Sequence, residues 1–518
     1  MSKGKKKKYP GIIIGKHPTK NIFLTSYGQT FILLAAPPGS GKGVSFVIPN
    51  LLSFPDSVAV NDPKFENWNI TSGFRAACGH ECYRFSPELL ETHRWNPLFY
   101  LSSDELERFA DIKTIATTLF VSPNPENQAF YNNAGKIFSA LVLYLMETPE
   151  LPLTLPQVYE ITSLGEDLPQ WVEDTIEARD NEDRALSSEC IREMMNIISI
   201  SSNPKSWSIY MDILSEVLGM FGEKKVAWAV SGNDIDFSKM RERKMSVYFS
   251  VTNDAVDKFG TLMNLFFTQL MGANSKVLPE DGGFDENGKP RLKYQIGMFM
   301  DETKVMGRIK AFENAPALLR GYGFRFNFIF QNKAQLRARN MYGRETADAM
   351  MNAFHVEIVY APAKQDFPAA EEYSKALGTT TVPVTTYSDN VGGKQKSRSR
   401  NRTVQPRPLM LPQEILDMPY DEEIVFIQGN KDTKPLNIKA RKIFWYKEDV
   451  FKLRANMPRP NIPLASREQL DGIVIPMRKK EQHLNAEFNE SFSAVIDDEI
   501  KKRLWYANKK NNLGWLNY

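Results

Sequence analysis

The chain has 518 residues, 42% hydrophobic and 25% charged, too long for one ordinary domain, which predicts two or three folded units with sizeable cores. Its 65 basic and 62 acidic side chains leave a net charge of +3, so contact with a polyanion has to come from local patches rather than a bulk positive field. Three cysteines, Cys78, Cys82 and Cys190, argue against a disulfide framework and for a reducing compartment.

No window reaches the run of about 18 apolar residues that a spanning helix needs, so the chain is expected not to cross a bilayer by itself. The lysine-rich start has no apolar stretch behind it and is no signal peptide; residues 1–10 read as a solvated tail or a strip drawn to anionic lipid. Residues 11–16 and 31–35 are short β-branched or apolar runs bounded by glycine and proline, as buried strands are. The second leads directly into Pro37-Pro38-Gly39-Ser40-Gly41-Lys42-Gly43, and residues 57–61 form a further strand ending at Asp62-Pro63-Lys64. Strand, glycine-rich loop, helix and strand open a parallel α/β sheet.

Helical periodicity takes over from about Ser103 to Trp228, predicting an inserted all-helical domain. Strand-like runs return at 245–251, 294–300, 324–330 and 356–360, separated by helix-length segments, and resume the sheet. The expected layout is a nucleotide-binding domain in two parts, 11–102 and 231–455, a helical insertion over 103–230, and a C-terminal extension over 456–518. Residues 392–402 are polar and basic, which predicts a mobile loop or hairpin tip. Cys78-Gly-His80-Glu-Cys82 lacks the second ligand pair of a zinc site and reads as turn into strand.

Phosphate-cradling loops follow G-x-x-x-x-G-K-[ST]: backbone N–H groups hold the phosphates, the lysine reaches the β and γ phosphates, and the hydroxyl ligates Mg²⁺. Gly39, Gly41 and Lys42 fit, so Pro38, Gly39, Ser40, Gly41, Lys42, Gly43 and Val44 form the candidate cradle. Ala36 replaces the first glycine, and Gly43 stands where the hydroxyl belongs, leaving Ser45 or a water as alternatives. The apolar run 296–300 delivers Asp301-Glu302, a Walker B arrangement. There Asp301 holds Mg²⁺ through its water shell and Glu302 polarises the water attacking the γ-phosphate. The run 326–330 delivers Gln331 beside them, placed to sense the γ-phosphate or position the water.

These motifs resemble those of the TraG/TraD family of type IV secretion coupling proteins, with signals from near Gly11 to about Leu416. The resemblance rests on Ala36-Pro-Pro-Gly-Ser-Gly-Lys-Gly-Val44 with Pro49-Asn-Leu-Leu52, on Val60-Asn-Asp-Pro-Lys-Phe-Glu66, on Asp301-Glu302, Gly321-Tyr-Gly-Phe-Arg325 and Gln331, and on Arg407-Pro-Leu-Met-Leu-Pro-Gln-Glu414. Phe65 departs from the family's Asp-Pro-Lys-Gly-Glu, and Thr303-Lys304 from its commoner apolar pair. The resemblance implies a RecA-like P-loop NTPase domain with a parallel-rich central sheet and an all-helical insertion, and a homo-hexamer with ATP and Mg²⁺ at subunit boundaries. It also implies a position at the cytoplasmic face of the bacterial inner membrane. A finger from the neighbouring subunit falls on Arg320, with Arg325 and Arg407 as weaker candidates. The implied activity is ATP hydrolysis that moves DNA, with relaxase or effector proteins, into the channel components of a type IV secretion system. Single-stranded DNA would meet Arg398, Arg400 and Arg402 with low sequence specificity. The rivals are a DNA motor of the FtsK or HerA type, which lacks the helical insertion at that place, and a non-hydrolysing docking platform, which Gly43 favours.

Overall fold

The computed structural model describes residues 9–181, 184–301, 306–389, 398–429 and 434–477. The chain divides into two compact units: one drawn from Met1–Tyr100 and Trp228–Ala465, the other from Leu101–Ala227 and Ser466–Tyr518.

The first unit is built on one large sheet. Its strands are β1 (Ile12–Lys16), β2 (Phe23–Ser26), β3 (Ile32–Ala35), β4 (Ser57–Asp62), β5 (Glu81–Phe85), β6 (Met245–Ser250), β7 (Ile296–Met300), β8 (Phe324–Phe330) and β9 (Val356–Val359). The long pair β10 (Thr379–Asp389) and β11 (Arg398–Pro408) comes next, then β12 (Glu422–Ile427) and β13 (Leu436–Arg441). The sheet order is β2-β1-β13-β12-β9-β3-β8-β7-β4-β6-β5. From β9 to β5 all neighbours pair parallel, whereas β12, β13, β1 and β2 continue the sheet antiparallel.

The parallel strands are continuous apolar runs because both faces are covered. Every residue of β3, β4, β6, β7 and β8 is buried. On β8 the phenylalanines alternate with Arg325, Asn327 and Ile329, so rings fill one face. Phe31 meets Phe326 at 5.2 Å, and Phe328 meets Phe312 at 5.0 Å and Phe354 at 5.2 Å. Arg325, fully buried, donates to the carbonyls of Pro10, Ser26 and Thr30 and thereby fastens the start of the chain to β8. Its bonds are all structural, which removes it from the finger candidates.

One departure from expectation concerns β11. Residues 398–402 belong to a strand rather than a loop: β11 pairs with β10 over eleven positions in a ribbon separate from the main sheet. The tip, 390–397, lies outside the described residues. The Arg407 to Glu414 stretch closes the ribbon's base, since Glu414 takes hydrogen bonds from Arg407 at 2.8 Å and from the Leu411 N–H at 2.7 Å.

The second unit is helical: α1 (Arg108–Leu119), α2 (Gln128–Met146), α3 (Leu155–Thr162), α4 (Leu168–Asn181), α5 (Ser188–Ser201) and α6 (Pro204–Leu218). The apolar α2 is the central helix, buried along most of its length. Ser187 and Asn203 cap α5 and α6 by accepting backbone N–H bonds, which satisfies the open first turns. A later stretch of chain completes this unit. Gln157, fully buried on α3, grips the backbone of Ile475 with both ends of its amide, donating at 2.9 Å and accepting at 2.8 Å; the Met477 N–H reaches Glu160 at 3.0 Å. The expected extension at 456–518 is thus split, its first part lying with the sheet unit to Ala465 and the next with the helical unit from Ser466. Residues beyond 477 lie outside the described part.

No helix among the described residues is long and apolar enough to cross a membrane, and no group of three or more His, Cys, Asp or Glu side chains among them gathers as a metal site. His80 faces Arg75 and Ser246 instead, at 3.2 Å from each.

Candidate functional site

The site forms where β3, β8, β7 and β4 present their carboxyl ends side by side. In a parallel sheet this edge is where connecting loops gather polar groups without interrupting the core. The loop after β3 begins by extending the sheet, with the Ala36 N–H donating to Phe330 at 2.9 Å. It then turns sharply: Gly39 has φ 72° and Gly41 φ 86°, a left-handed region that side chains with a Cβ seldom enter. Lys42 resumes right-handed geometry, and a π-helical turn, Gly43–Val47, runs straight into Ile48–Leu51. In that turn the Ile48 N–H bonds to the Gly43 carbonyl. Such wide turns are frequent at functional sites.

The loop is held from several directions. Ser45 donates to the Gly41 carbonyl at 2.7 Å and meets the Tyr360 hydroxyl at 2.7 Å. Lys442, at the end of β13, donates to the Ser40 carbonyl at 3.1 Å and lies 3.7 Å from the Tyr360 ring centroid. Burial lowers the Lys442 ammonium to about 8 and raises Glu423 beneath it to about 8, with their mutual attraction acting against both shifts. Neither Tyr360 nor Lys442 was singled out from the sequence. Ser45 is 6% exposed, with its hydroxyl engaged by the Gly41 carbonyl and the Tyr360 hydroxyl.

Asp301 follows β7 directly, and its Oδ2 lies 3.9 Å from where a Cβ on Gly43 would stand. The acidic end of β7 and the start of the helix after the loop are therefore adjacent, although 258 residues apart in number (301 − 43). Asn61, at the end of β4, donates to the Asp301 carbonyl and fixes the turn. Glu302, Thr303 and Lys304 lie outside the described residues. Gln331 stands at the end of β8, between β3 and β7, with its side-chain Oε1 accepting from Gln335 Nε2 at 2.9 Å.

Beside Asn61, the buried Asp62 takes the N–H groups of Asn67 and Trp68 at 3.1 and 2.9 Å and the Ser250 hydroxyl at 3.2 Å. Burial pushes its carboxyl up to about 7 against those bonds, and Asp301 adds to the rise. Between them Phe65 adopts φ 58°, ψ 5°, the left-handed conformation that a glycine would take without cost. It is the only non-glycine residue with positive φ among those described.

The arginines fall elsewhere. Arg320 precedes β8 and so sits at the amino end of the parallel strands, opposite the loop edge of its own chain. There it donates to the Ala353 carbonyl at 3.2 Å, contacts His355 at 2.9 Å and lies over the Phe31 ring. Arg407 is paired with Glu414. Arg400 and Arg402 are exposed on β11, opposite Tyr387 and Thr385, and Arg398 occupies the position opposite Asp389.

Gly39, Gly41, Lys42 and the helix start beside Asp301 suit a polyphosphate with a divalent cation: turned glycines, one cationic side chain and one nearby carboxylate. Solved structures share the architecture. The bacterial conjugative coupling protein TrwBdeltaN70 aligns with a TM-score of 0.56 at 16% identity, covering 82% of this chain and 87% of that one. TrwB in complex with ADP and Mg²⁺ aligns with a TM-score of 0.54 at 16% identity, covering 82% and 88%. At that identity the likeness establishes the fold.

Among sequences, the protein VirD4 of Agrobacterium fabrum is 27% identical over 439 residues, 83% of this chain and 61% of its own length. The conjugal transfer protein TraG of Escherichia coli is 25% identical over 519 residues, 90% of this chain and 78% of its own length. The chain spans about three fifths of the VirD4 proteins it matches. A family model described as type IV secretory system conjugative DNA transfer matches residues 2–466. The RecA-like sheet, the loop–Asp301 pairing at its carboxyl edge and that match over most of the sequence place the chain in the type IV secretory conjugative DNA-transfer family.

Proposed function

We propose that this protein is an ATP-driven coupling protein that recruits DNA–relaxase or protein substrates and moves them into a type IV secretion channel, at the cytoplasmic face of the inner membrane. The observation that carries the reading is Asp301 Oδ2 standing against Gly43 at the mouth of the loop. Backbone N–H groups of Gly39 to Val44 and the Lys42 ammonium would hold the phosphates, and Asp301 would hold Mg²⁺ through its water shell. When bound, the cation neutralises charge on the transferring phosphoryl group. Glu302 polarises the attacking water and Gln331 orients it. Arg320 is assigned to the site of a neighbouring subunit in a hexameric ring, consistent with its distance from its own loop. Magnesium-dependent ATP turnover that Lys42→Ala and Glu302→Gln abolish is the expected result; turnover unchanged by both would overturn it.

A second reading has one specific observation behind it. With Ser45 bonded to Gly41 and Tyr360, the loop offers Mg²⁺ no hydroxyl at position 43. That favours a platform that binds ATP and hydrolyses it slowly or not at all. Purified protein that binds ATP yet shows no turnover with or without single-stranded DNA would decide for it.

A further inference from the structure

Two carbonyls of the phosphate loop are held by neighbours in sequence. Pro37 accepts the N–H of Ser40 at 3.2 Å and its hydroxyl at 2.6 Å. Gly41 accepts the N–H of Ser45 at 2.9 Å and its hydroxyl at 2.7 Å. The carbonyl between them, that of Ser40, accepts instead from Lys442, 402 residues on, at 3.1 Å. Ser40 stands between two glycines with positive φ, whose lack of a Cβ leaves the adjoining peptide groups free to rotate, so the local chain sets their direction only weakly. The Ser40–Gly41 peptide is trans, and its C=O and N–H therefore point opposite ways. Fixing the Ser40 carbonyl on Lys442 turns the Gly41 N–H away from that lysine.

Lys442 is itself closely confined. Its N–H donates to the Asp421 carbonyl at 2.8 Å, which fixes its backbone at the end of β13. Its ammonium lies 3.7 Å from the Tyr360 ring centroid and 4.8 Å from that of Tyr420, so two rings hold it over the loop, and the residue is 6% exposed. Tyr360 meets the Ser45 hydroxyl as well, so the supports of the Ser40 and Gly41 carbonyls share one ring. A bond from an ammonium is stronger than one between neutral groups, which suits it to holding a peptide between two glycines. We propose that Lys442 is a positioning residue of the phosphate site: by holding the Ser40 carbonyl it aims the Gly41 N–H at the phosphates, and it touches neither nucleotide nor cation itself. The inference rests on the nucleotide reading of the loop.

The test titrates ATP and inorganic tripolyphosphate, each with Mg²⁺, calorimetrically into the full chain. Lys442→Met keeps the length of the side chain and removes the cation; it is expected to weaken both ligands about tenfold and equally, with the urea midpoint unchanged. A pH series gives a second readout. Burial lowers the Lys442 ammonium to about 8, so it loses its proton as pH rises from 7 to 9, while the guanidinium of Lys442→Arg keeps its charge. Glu423, raised to about 8 by its own burial, gains charge over the same interval and, with Asp421, partly opposes that loss; Tyr360 and Tyr420, both pushed upward by burial, stay neutral. ATP affinity of the unsubstituted protein should therefore fall about fivefold more than that of Lys442→Arg between pH 7 and 9. Should Lys442→Met not fold, this comparison decides alone. Weakening of ATP without tripolyphosphate would mean that Lys442 touches the nucleoside and would overturn the inference, as would undiminished affinity for both ligands or an equal pH slope in Lys442→Arg. Unsubstituted protein that takes up neither ligand would defeat the nucleotide reading itself, and this inference with it.

Discussion

Replacing Phe65 separates the strain of its backbone from the packing of its ring. At φ 58° its Cβ crowds the chain, a cost of about 1–2 kcal/mol for any residue but glycine. Phe65→Ala keeps that strain and loses the ring's approach to Arg84, 5.6 Å from its centroid and worth about 0.5–1 kcal/mol at a half-exposed position. Phe65→Gly loses the same contact and sheds the strain, but adds unfolded-state freedom worth about 0.5–1 kcal/mol. Subtracting, the glycine variant should be more stable than the alanine variant by about 0.5–1 kcal/mol, the reverse of their order inside a helix. Urea unfolding followed through Trp68, 1% exposed and three residues on, reads the sheet unit directly, which matters because two units need not unfold together. An alanine variant at least as stable as the glycine variant would refute the left-handed geometry. It would also refute the view that the loop after β4 is shaped for a glycine at this position.

A hydroxyl can be returned to the loop: Gly43 has no positive φ and a Cβ there meets only Asp301 Oδ2, at 3.9 Å. Gly43→Ser should lower the Mg²⁺ concentration for half-maximal turnover by about fivefold, roughly 1 kcal/mol, and an unchanged Mg²⁺ titration would count against the site as drawn. His80 is held far below its usual range, at about 2, by burial and then by the charges of Arg75 and Lys244. The folded protein keeps it neutral while the unfolded chain protonates it below about 6.5. Stability is therefore lost as pH falls, by about 2 kcal/mol from this group between pH 7.5 and 5. Urea midpoints at the two pH values should converge in His80→Gln, and an equally steep pH dependence in that variant would contradict the assignment. On the ribbon, Arg400→Ala with Arg402→Ala should flatten the slope of log affinity against log salt for single-stranded DNA by about 1.4, at about 0.7 per lost phosphate contact. An unchanged slope would send the DNA elsewhere on the surface.

The strands β3, β4 and β6 to β9 were readable from the sequence because a strand buried on both faces has to be an unbroken apolar run. Of the antiparallel edge, only β1 was. In β13 the exposed Leu436, Asn437, Lys439 and Arg441 surround a single buried Ala440, a pattern no different from a loop. The ribbon hid behind Pro383 and a run of threonines and arginines, since a strand with no buried face needs no apolar alternation. At the site, Asp301 and Gln331 were legible because each follows directly on an apolar strand, and Lys42 because it closes a glycine loop of recognisable spacing. Tyr360 and Lys442 escaped because the groups they hold, Ser45 and Ser40, are 315 and 402 residues away, and no local spacing encodes such contacts. Phe65 was visible as an odd residue in a familiar stretch, but its handedness is a property of the folded loop alone.

The grip of Gln157 on Ile475 bears on how such a protein can be taken apart or exchanged between relatives. The helical segment between Leu101 and Ala227 looks like a cassette, bounded by two junctions and free to be swapped. Its third helix, however, keeps a buried amide satisfied only by backbone arriving more than 300 residues later. A fragment ending at Ala227 would carry that amide into its interior without partners, a penalty of about 1–3 kcal/mol for each orphaned group. The unit that can be transplanted is therefore discontinuous: the helices together with residues 466–477, which have to be inherited as a pair.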